Sequence, residues 1–176
     1  LDEKGYKQSK SLGNTVEPQK VADQNGVEIL RIWAASSDFT EDLRLGPEIL
    51  KANVESYRKL RNTLRFILAN LKDWTEGERV AVDQMPELER WVLHRLSELD
   101  LVVRQGYAAF DFNRVFTTLF NFCTTDLSAV YLDIRKDALY CDAPSSLRRR
   151  AARTVLDHLF NHLTAWLAPV MVFTME

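Results

Sequence analysis

The chain has 176 residues, of which 46% are hydrophobic, and its 23 Lys and Arg against 25 Asp and Glu give a formal net charge of -2. This composition supports a folded core and excludes general disorder, while the balanced charge gives no global indication of a nucleic-acid partner. No apolar run approaches the roughly 18 residues that cross a membrane, and the N-terminal residues lack a signal peptide pattern. Cys123 and Cys141 form neither a disulfide framework nor a zinc motif. The expected location is the cytoplasm.

The first 46 residues predict short elements. Residues 1–16 are polar and predict a loop. Pro18 suits the first turn of a helix, so a short helix is predicted over 18–24, and Asn25-Gly26 ends it. A second short helix is predicted over 27–35, and a polar connector leads from it to Gly46.

From Pro47 onward, apolar residues recur at spacings of 3, 4 or 7 and predict four long amphipathic helices. Their approximate bounds are 47–73, 86–106, 113–137 and 145–168, with a polar linker over 75–84. The predicted inward faces include Leu68 on the first helix and Val130 and Ile134 on the third. Four long helices with short connections predict an antiparallel bundle. The fold class is therefore predicted to be all-α, with a bundle over 47–176 and a short, mainly helical segment over 1–46.

The octapeptide Lys7-Gln8-Ser9-Lys10-Ser11-Leu12-Gly13-Asn14 is one candidate functional segment. Its lysines, hydroxyl groups and backbone N–H groups suit a loop that closes on a polyphosphate. By composition alone, a solvated polar segment is the simpler interpretation.

A basic stripe on the first long helix is a second candidate. Its residues recur every seven positions, with Arg61 one turn away, so they stay on one flank of the helix. The stripe consists of Lys51, Arg58, Arg61, Arg65 and Lys72. Such a row fits a phosphate backbone. The alternative is a solvated face that Glu48 and Glu55 partly neutralise.

Two further clusters lie on the fourth helix. Arg148, Arg149 and Arg150, with Arg153, stand near its beginning, where cations oppose the helix macrodipole. This position indicates a functional role, and a solubilising cluster is an equal alternative. His158 and His162 have the i, i+4 spacing of metal ligands. The chain contains no ExxH motif, however, and the flanking leucines favour packing, so no metal site is predicted.

Several segments together resemble one protein family. KQSKSLGN (7–14) resembles the KMSKS loop of class I aminoacyl-tRNA synthetases, and GVEILRIWAASSDFTEDL (26–43) resembles the segment that follows this loop in the isoleucyl-tRNA synthetases. Residues 57–71, 122–137 and 167–176 resemble successive parts of the anticodon-binding bundle of that family. The resemblance covers essentially the whole chain, in order. Because the chain begins without Met and stops inside an apolar run, it is expected to be a piece of a longer protein.

The resemblance implies a function for that longer protein. It would activate isoleucine with ATP and Mg²⁺, releasing pyrophosphate, and then esterify tRNA(Ile). Residues 1–46 would be the tail of the catalytic module, with the KMSKS-type loop and the stem-contact segment, and 47–176 the anticodon-binding bundle. The amino-acid and nucleotide pockets of the family would lie upstream of Leu1. The 176 residues alone are therefore expected to be inactive, and a cytoplasmic monomer without a membrane partner is expected.

Site residues carry over from the family motif one by one. Lys7 and Lys10 match the two motif lysines, and Lys10 would be catalytic because its charge stabilises the triphosphate as pyrophosphate leaves. Ser9 and Ser11 match the motif serines and would shape the ATP-binding loop. Gln8 stands where the motif has Met, which brings the seating of the loop into question.

The resemblance also favours a tRNA-facing role for the basic stripe. Lys51, Arg58, Arg61 and Arg65 are the first candidates for tRNA contacts, and Arg148, Arg149 and Arg150 are further ones. Two alternatives stay open. The chain could be the same region of a valyl-, leucyl- or methionyl-tRNA synthetase. From a different class, it could be a non-enzymatic helical bundle that binds a protein through a contiguous exposed apolar patch.

Overall fold

The computed structural model describes all residues, 1–176, and contains α-helices and no strands, which confirms the all-α prediction. The helices are α1 (Pro18–Asn25), α2 (Glu28–Ser36), α3 (Pro47–Asn70), α4 (Glu87–Ala108), α5 (Phe112–Asn121), α6 (Leu132–Cys141), α7 (Leu147–Leu167) and α8 (Val172–Met175). A π-helix, Phe122–Tyr131, joins α5 to α6, and 3-10 turns span Lys10–Leu12, Glu76–Glu78 and Val82–Gln84. None of the helices combines the length and the apolar character that a membrane crossing requires.

Four helical rods form the bundle, and their direction alternates along the chain. These rods are α3, α4, the continuous α5–π–α6 rod, and α7. α7 contacts both α3 and α4, and the α5–π–α6 rod contacts the same two helices from the other side, so α3 and α4 lie diagonally across the bundle. α3 and the neighbouring α5–π–α6 rod run in the same direction, because Thr63 contacts Ser128 and Asn70 contacts Tyr140. The predicted antiparallel bundle is confirmed, since rods that follow one another along the chain run in opposite directions. Because α3 and α4 lie across a diagonal and are not in contact, α3 is a neighbour of a rod that runs parallel to it.

One hydrophobic core runs through the bundle and comprises 30 buried residues. Among the single helices α7 contributes the most residues to this core. Its predicted inward positions are all buried: Ala152, Leu156, Leu159, Leu163 and Trp166. Burial on this scale is the dominant favourable contribution to folding.

The π-helix changes which residues of the third rod face the core. Val130 and Ile134 are 39% and 55% exposed, so the prediction that they point inward is wrong. A π-helix bonds i to i+5 and holds more residues per turn, which rotates everything beyond it relative to a continuous α-helix. Leu132 and Leu139 occupy the core face instead. On α3, Leu68 is also exposed, because it lies at the edge of the apolar stripe whose centre Leu64 and Ile67 fill.

The N-terminal segment is hydrogen-bonded to one end of the bundle, where α3 begins and α7 ends. The Glu3 carboxylate accepts the backbone N–H groups of Glu48 and Ile49, 2.6 and 3.1 Å away, and so caps α3. The Arg31 guanidinium donates to the carbonyls of Pro169 and Val170, 2.6 and 2.9 Å away. We call these two hydrogen bonds of Arg31 the α2 latch. They join α2 to the chain that follows α7.

The connector between α3 and α4 is more ordered than the predicted polar linker. Val80 and Met85 are buried, and the Val80 N–H donates to Thr154 Oγ1 at 3.1 Å. The Arg153 guanidinium donates to the carbonyls of Asn70 and Lys72 at 3.2 and 2.8 Å. Side chains of α7 therefore fix the connector on its path from the end of α3 to the start of α4.

Candidate nucleic-acid interface

The side chain of Gln8 holds the KQSKS loop in place. Its amide nitrogen donates to the carbonyls of Leu1 and Leu45, 3.0 and 2.8 Å away, and its amide oxygen accepts the Val16 N–H at 3.4 Å. The loop is thereby joined to the residues just before α1 and α3. Gln8, the one residue that departs from the KMSKS pattern, thus fixes the loop through hydrogen bonds.

Asn14 and Asp2 complete the loop. The Asn14 side-chain oxygen accepts the Ser9 N–H at 2.9 Å, and its amide nitrogen donates to the Asp2 carboxylate at 3.0 Å. The hydrogen bond from Asn14, followed by that from the backbone of Tyr6, lowers the pKa of Asp2. Sequence reasoning assigned no role to Asn14 or Asp2. The sequence signal for a structural role of Asn14 is the Gly13-Asn14 pair, which is typical of turns. In the structure Gly13 ends the 3-10 turn in a left-handed conformation.

The loop presents its two lysines to solvent. Lys7 and Lys10 are exposed and make no ion pair with any carboxylate of the chain. The hydroxyls of Ser9 and Ser11 lie 3.1 Å apart, and Ser9 also caps the 3-10 turn by accepting the Leu12 N–H. Two ammonium groups on an ordered turn can interact with an anionic ligand without first breaking an internal ion pair.

The basic stripe lies on the solvent face of α3, except for Lys72, which follows the end of the helix at Asn70. The side chains of Lys51 and Arg58 are 72% and 65% exposed, and each pairs with a glutamate three residues before it. Arg61 and Arg65 are exposed and unpaired. Exposed pairs of this kind contribute about 0–1 kcal/mol, so a phosphate can displace them at little cost.

The arginines at the start of α7 mainly contact the chain itself. Arg148 donates to both carboxylate oxygens of Asp142, at 2.8 and 2.6 Å, and this pairing lowers the pKa of Asp142. Arg149 donates to the Asp142 carbonyl at 2.7 Å, and its Nε is buried. Arg150 donates to the carbonyl of Glu78 at 3.1 Å. The Asp142 carboxylate offsets the repulsion between these cations and the helix macrodipole, which supplies a structural reason for their position.

The two histidines of α7 are engaged in hydrogen bonds. His158 Nε2 lies 3.2 Å from the Arg79 guanidinium, and His162 Nδ1 lies 2.7 Å from the His158 carbonyl. No group of three or more His, Cys, Asp or Glu side chains is arranged to hold a metal ion. His158 therefore belongs to the contact between α7 and the connector, whereas the ring of His162 packs against Trp166 of the same helix.

Family models match both parts of the chain. A model described as "Anticodon-binding domain of tRNA ligase" matches residues 89–176, and one described as "tRNA synthetases class I (I, L, M and V)" matches residues 1–46. The first match alone covers half of the chain.

Individual relatives agree with these models. The chain is 62% identical to an isoleucine–tRNA ligase of Ruegeria pomeroyi, 57% to one of Mesorhizobium japonicum and 52% to one of Caulobacter vibrioides. Each match covers 100% of this chain and 18% of the relative, so the chain spans less than a fifth of the length of these relatives. The resemblance to the isoleucyl-tRNA synthetases is confirmed.

A solved structure has the same fold. The LeuRS chain in a ternary complex of LeuRS, tRNA and LeuAMS from Agrobacterium radiobacter K84 matches with a TM-score of 0.67 at 18% identity, over 100% of this chain and 20% of that one. The identity is too low to transfer more than the architecture. The family models and the relatives, however, identify the family of the chain. The chain belongs to the class I tRNA synthetases and contains the anticodon-binding domain of that family.

Proposed function

We propose that the chain is the tRNA-anticodon-binding part of an isoleucyl-tRNA synthetase, and that the basic face of α3 contacts the phosphates of tRNA(Ile). The observation that carries the proposal is the similarity of the whole chain to isoleucine–tRNA ligases. It also favours isoleucine over valine, leucine or methionine as the substrate of the parent enzyme.

The exposure of α3 supports the choice of phosphate-contacting residues. Lys51, Arg58, Arg61 and Arg65 offer four cations on one solvent-facing helix flank, two of them unpaired. Lysine and arginine on such a surface replace the counterions of an RNA backbone, which makes binding dependent on salt. Because Arg148, Arg149 and Arg150 contact other residues of the chain, they are weaker candidates for tRNA contacts. Of these three, only Arg148 is mainly solvent-exposed, with 52% of its side chain accessible.

The KQSKS loop is assigned to the ATP-dependent step of the parent enzyme. Lys10 stabilises the charge of the triphosphate as pyrophosphate leaves, with Lys7 as a second cation, while Gln8, Ser9 and Ser11 hold the shape of the turn. The unpaired state of both lysines and the network around Gln8 support this division of roles. Mg²⁺ would arrive with ATP as part of the substrate.

Residues 1–46 are then the tail of the catalytic module, and residues 47–176 are the anticodon-binding bundle. The chain acts as a monomer, and isoleucine is bound by other parts of the parent enzyme. Because the chain spans 18% of its relatives' length, we expect it to lack activity by itself. ATP–pyrophosphate exchange by the 176 residues alone would contradict this expectation.

A titration of the chain with tRNA(Ile) and with a non-cognate tRNA, at three salt concentrations, tests the proposal. Salt-dependent binding with a preference for tRNA(Ile) is the expected result. Equal binding to both tRNAs would mean that the bundle contacts phosphates while identity is read elsewhere in the parent enzyme. Absence of binding at low salt would contradict the tRNA-binding role of the isolated chain and would leave a protein-binding bundle as the alternative.

A further inference from the structure

Three aromatic rings form a row at the turn between α4 and α5. The ring centres of Tyr107 and Phe112 are 6.1 Å apart, and those of Phe112 and Phe110 are 5.9 Å apart. Tyr107 and Phe112 are partly buried, whereas Phe110, at the outer end, is 66% exposed. We call these three residues the aromatic row. No role in the sections above depends on it.

The backbone of Phe110 has a conformation that usually belongs to glycine. Its φ is +58°, and it follows the last turn of α4 in a Schellman motif. The N–H groups of Phe110 and Asp111 close this motif by donating to the carbonyls of Tyr107 and Gly106, at 3.2 and 2.8 Å. Glycine is preferred at such a position because a β-carbon is unfavourable in a left-handed backbone. Phe110 thus combines an unfavourable backbone with a ring that is little buried, and such outliers cluster where proteins make functional contacts.

An apolar pocket adjoins the aromatic row at the seam between α2 and the bundle. Its volume is about 320 Å³, and its lining is mostly hydrophobic. α2 contributes Ala34 and Ala35, the aromatic row contributes Tyr107 and Phe112, and the chain after α7 completes the lining. The only charged residue of the lining, Arg31, is engaged in the α2 latch. The pocket therefore suits an apolar side chain better than a phosphate group.

The place of the aromatic row in the fold indicates which partner covers it. α2 lies in the region that matches the class I tRNA synthetase model, and the aromatic row lies in the region that matches the anticodon-binding model. Asn113 already joins the two regions, because its side-chain amide donates to the Ser36 carbonyl of α2. The aromatic row and its pocket continue this seam as an uncovered apolar surface.

The rest of the parent enzyme is the partner best placed to cover this surface. The chain spans 18% of its relatives' length, so most of a parent of that length lies outside these residues. A partner within the same polypeptide is present at a high effective concentration, and a surface of modest size is then enough for a lasting contact.

We infer that the aromatic row and the adjoining pocket are a docking surface for the catalytic module of the parent enzyme, in the part that precedes Leu1. An apolar or aromatic side chain of that module occupies the pocket, and the Phe110 ring packs against it. Burial of this ring offsets the unfavourable backbone of Phe110. The contact fixes the orientation of the anticodon-binding bundle relative to the catalytic module. The inference rests on the proposed function and adds an internal partner to it.

Photo-crosslinking in the purified parent enzyme tests the inference. Benzoylphenylalanine, a photoreactive aromatic residue, replaces Phe110 in one variant and Tyr140 in the control variant. Tyr140 is 63% exposed and lies beside Asn70, at the other end of the bundle. Mass spectrometry then identifies the crosslinked peptides. We expect crosslinks to peptides that precede Leu1 from position 110 and none to those peptides from position 140.

The crosslinking has outcomes that separate the inference from the proposed function. Crosslinks from position 110 only to peptides after Glu176, only to a second copy of the enzyme, only to added tRNA(Ile), or to nothing at all would overturn the inference and leave the proposed function standing. A parent that shows no isoleucine-dependent ATP–pyrophosphate exchange would contradict the proposed function, whichever peptides are crosslinked.

A substitution measures what the contact does for the enzyme. In the parent, Phe110→Ala should lower kcat/KM for aminoacylation of tRNA(Ile) several-fold and leave ATP–pyrophosphate exchange unchanged, because the bundle loses its fixed orientation. Leu101→Ala is the matched control, since Leu101 is 61% exposed on α4, and it should change neither rate. Equal effects of the two substitutions on aminoacylation would contradict an orienting role of the aromatic row.

Discussion

The Glu89 carboxylate, which is inaccessible to solvent, accepts two hydrogen bonds from the Arg135 guanidinium at 2.5 and 2.7 Å. The Tyr131 hydroxyl donates to the same carboxylate at 3.2 Å. Glu89 lies in the first turn of α4, where the helix macrodipole favours a negative charge. Because Tyr131 is the last residue of the π-helix, this buried cluster fixes the α5–π–α6 rod against α4 just where its helical geometry returns to α.

Glu89→Ala should therefore destabilise the fold severely. It leaves the Arg135 guanidinium, whose side chain is 12% exposed, without its counter-ion, and such a loss costs about 3–5 kcal/mol. Urea unfolding of the variant would measure the change in the free energy of unfolding. Glu98→Ala is the matched control, because its pair with Arg95 is solvated and its loss should cost less than about 1 kcal/mol. Equal effects of the two substitutions would show that the buried pair has no special importance.

The basic stripe predicts a change in the salt dependence of tRNA binding. Arg58→Ala and Arg65→Ala should each weaken binding and reduce the slope of log K against log salt by about 1, as for the loss of one phosphate contact. Arg90→Ala, on the far side of the bundle, should change neither quantity. If both stripe variants keep the slope of the unmodified chain, the stripe is solvated surface.

His158 predicts a loss of stability on mild acidification. Burial, and then the charge of Arg79, lowers its pKa below the ordinary value of 6.5. A histidine whose pKa is lowered on folding contributes stability that is present above about pH 6.5 and is lost as the pH falls through its folded-state pKa. Asp157 and Glu76 act in the opposite direction, and His162 in the same direction as Arg79, without reversing the shift.

Urea midpoints at pH 7.5 and 5.5 would measure this effect. The difference between the two midpoints should shrink in His158→Gln and persist in His94→Gln, because the side chain of His94 is 69% exposed. A pH dependence that is unchanged in His158→Gln would assign the effect to other groups.

The two cysteines should differ in reactivity. Burial raises the pKa of the Cys123 thiol to about 12, whereas Cys141 is exposed. Because the thiolate is the reacting form, a thiol reagent at pH 8 should modify one cysteine rapidly in the folded chain and two in denaturant. Cys141→Ser should abolish the rapid reaction. Two rapid equivalents in the folded chain would indicate that the core around Cys123 opens readily.

Helix positions and most core faces were predictable because apolar spacing records them directly. α7 begins at Leu147, beside the predicted Ser145 or Ser146, and its predicted inward residues are buried. The π-helix was not predictable in this way, since spacing analysis assumes one helical geometry throughout. Val130 and Ile134 were placed inward on that assumption and are exposed.

The roles of charged and polar residues were harder to predict, because they depend on hydrogen-bond partners that become neighbours only in the folded chain. The position of Arg149 at a helix start indicated a function, yet the residue that accounts for its contact is Asp142, seven positions earlier. Gln8 was a departure from the family motif, and its bonds to Leu1 and Leu45 depend on a fold that brings these distant residues together. Exposed cations such as Arg58 and Arg65 were easier to place, because the apolar stripe of α3 fixes its opposite face.

The α2 latch sets an order of events during synthesis. Arg31 leaves the ribosome 139 residues before Val170, whose carbonyl it binds. At about 5–20 residues per second, this interval lasts roughly 7–28 s. Until Pro169 and Val170 emerge, the Arg31 guanidinium lacks both carbonyls of the α2 latch, while α3 to α7 already have one another to pack against. Among the helices of this chain, α2 is therefore one of the last to acquire its full set of contacts.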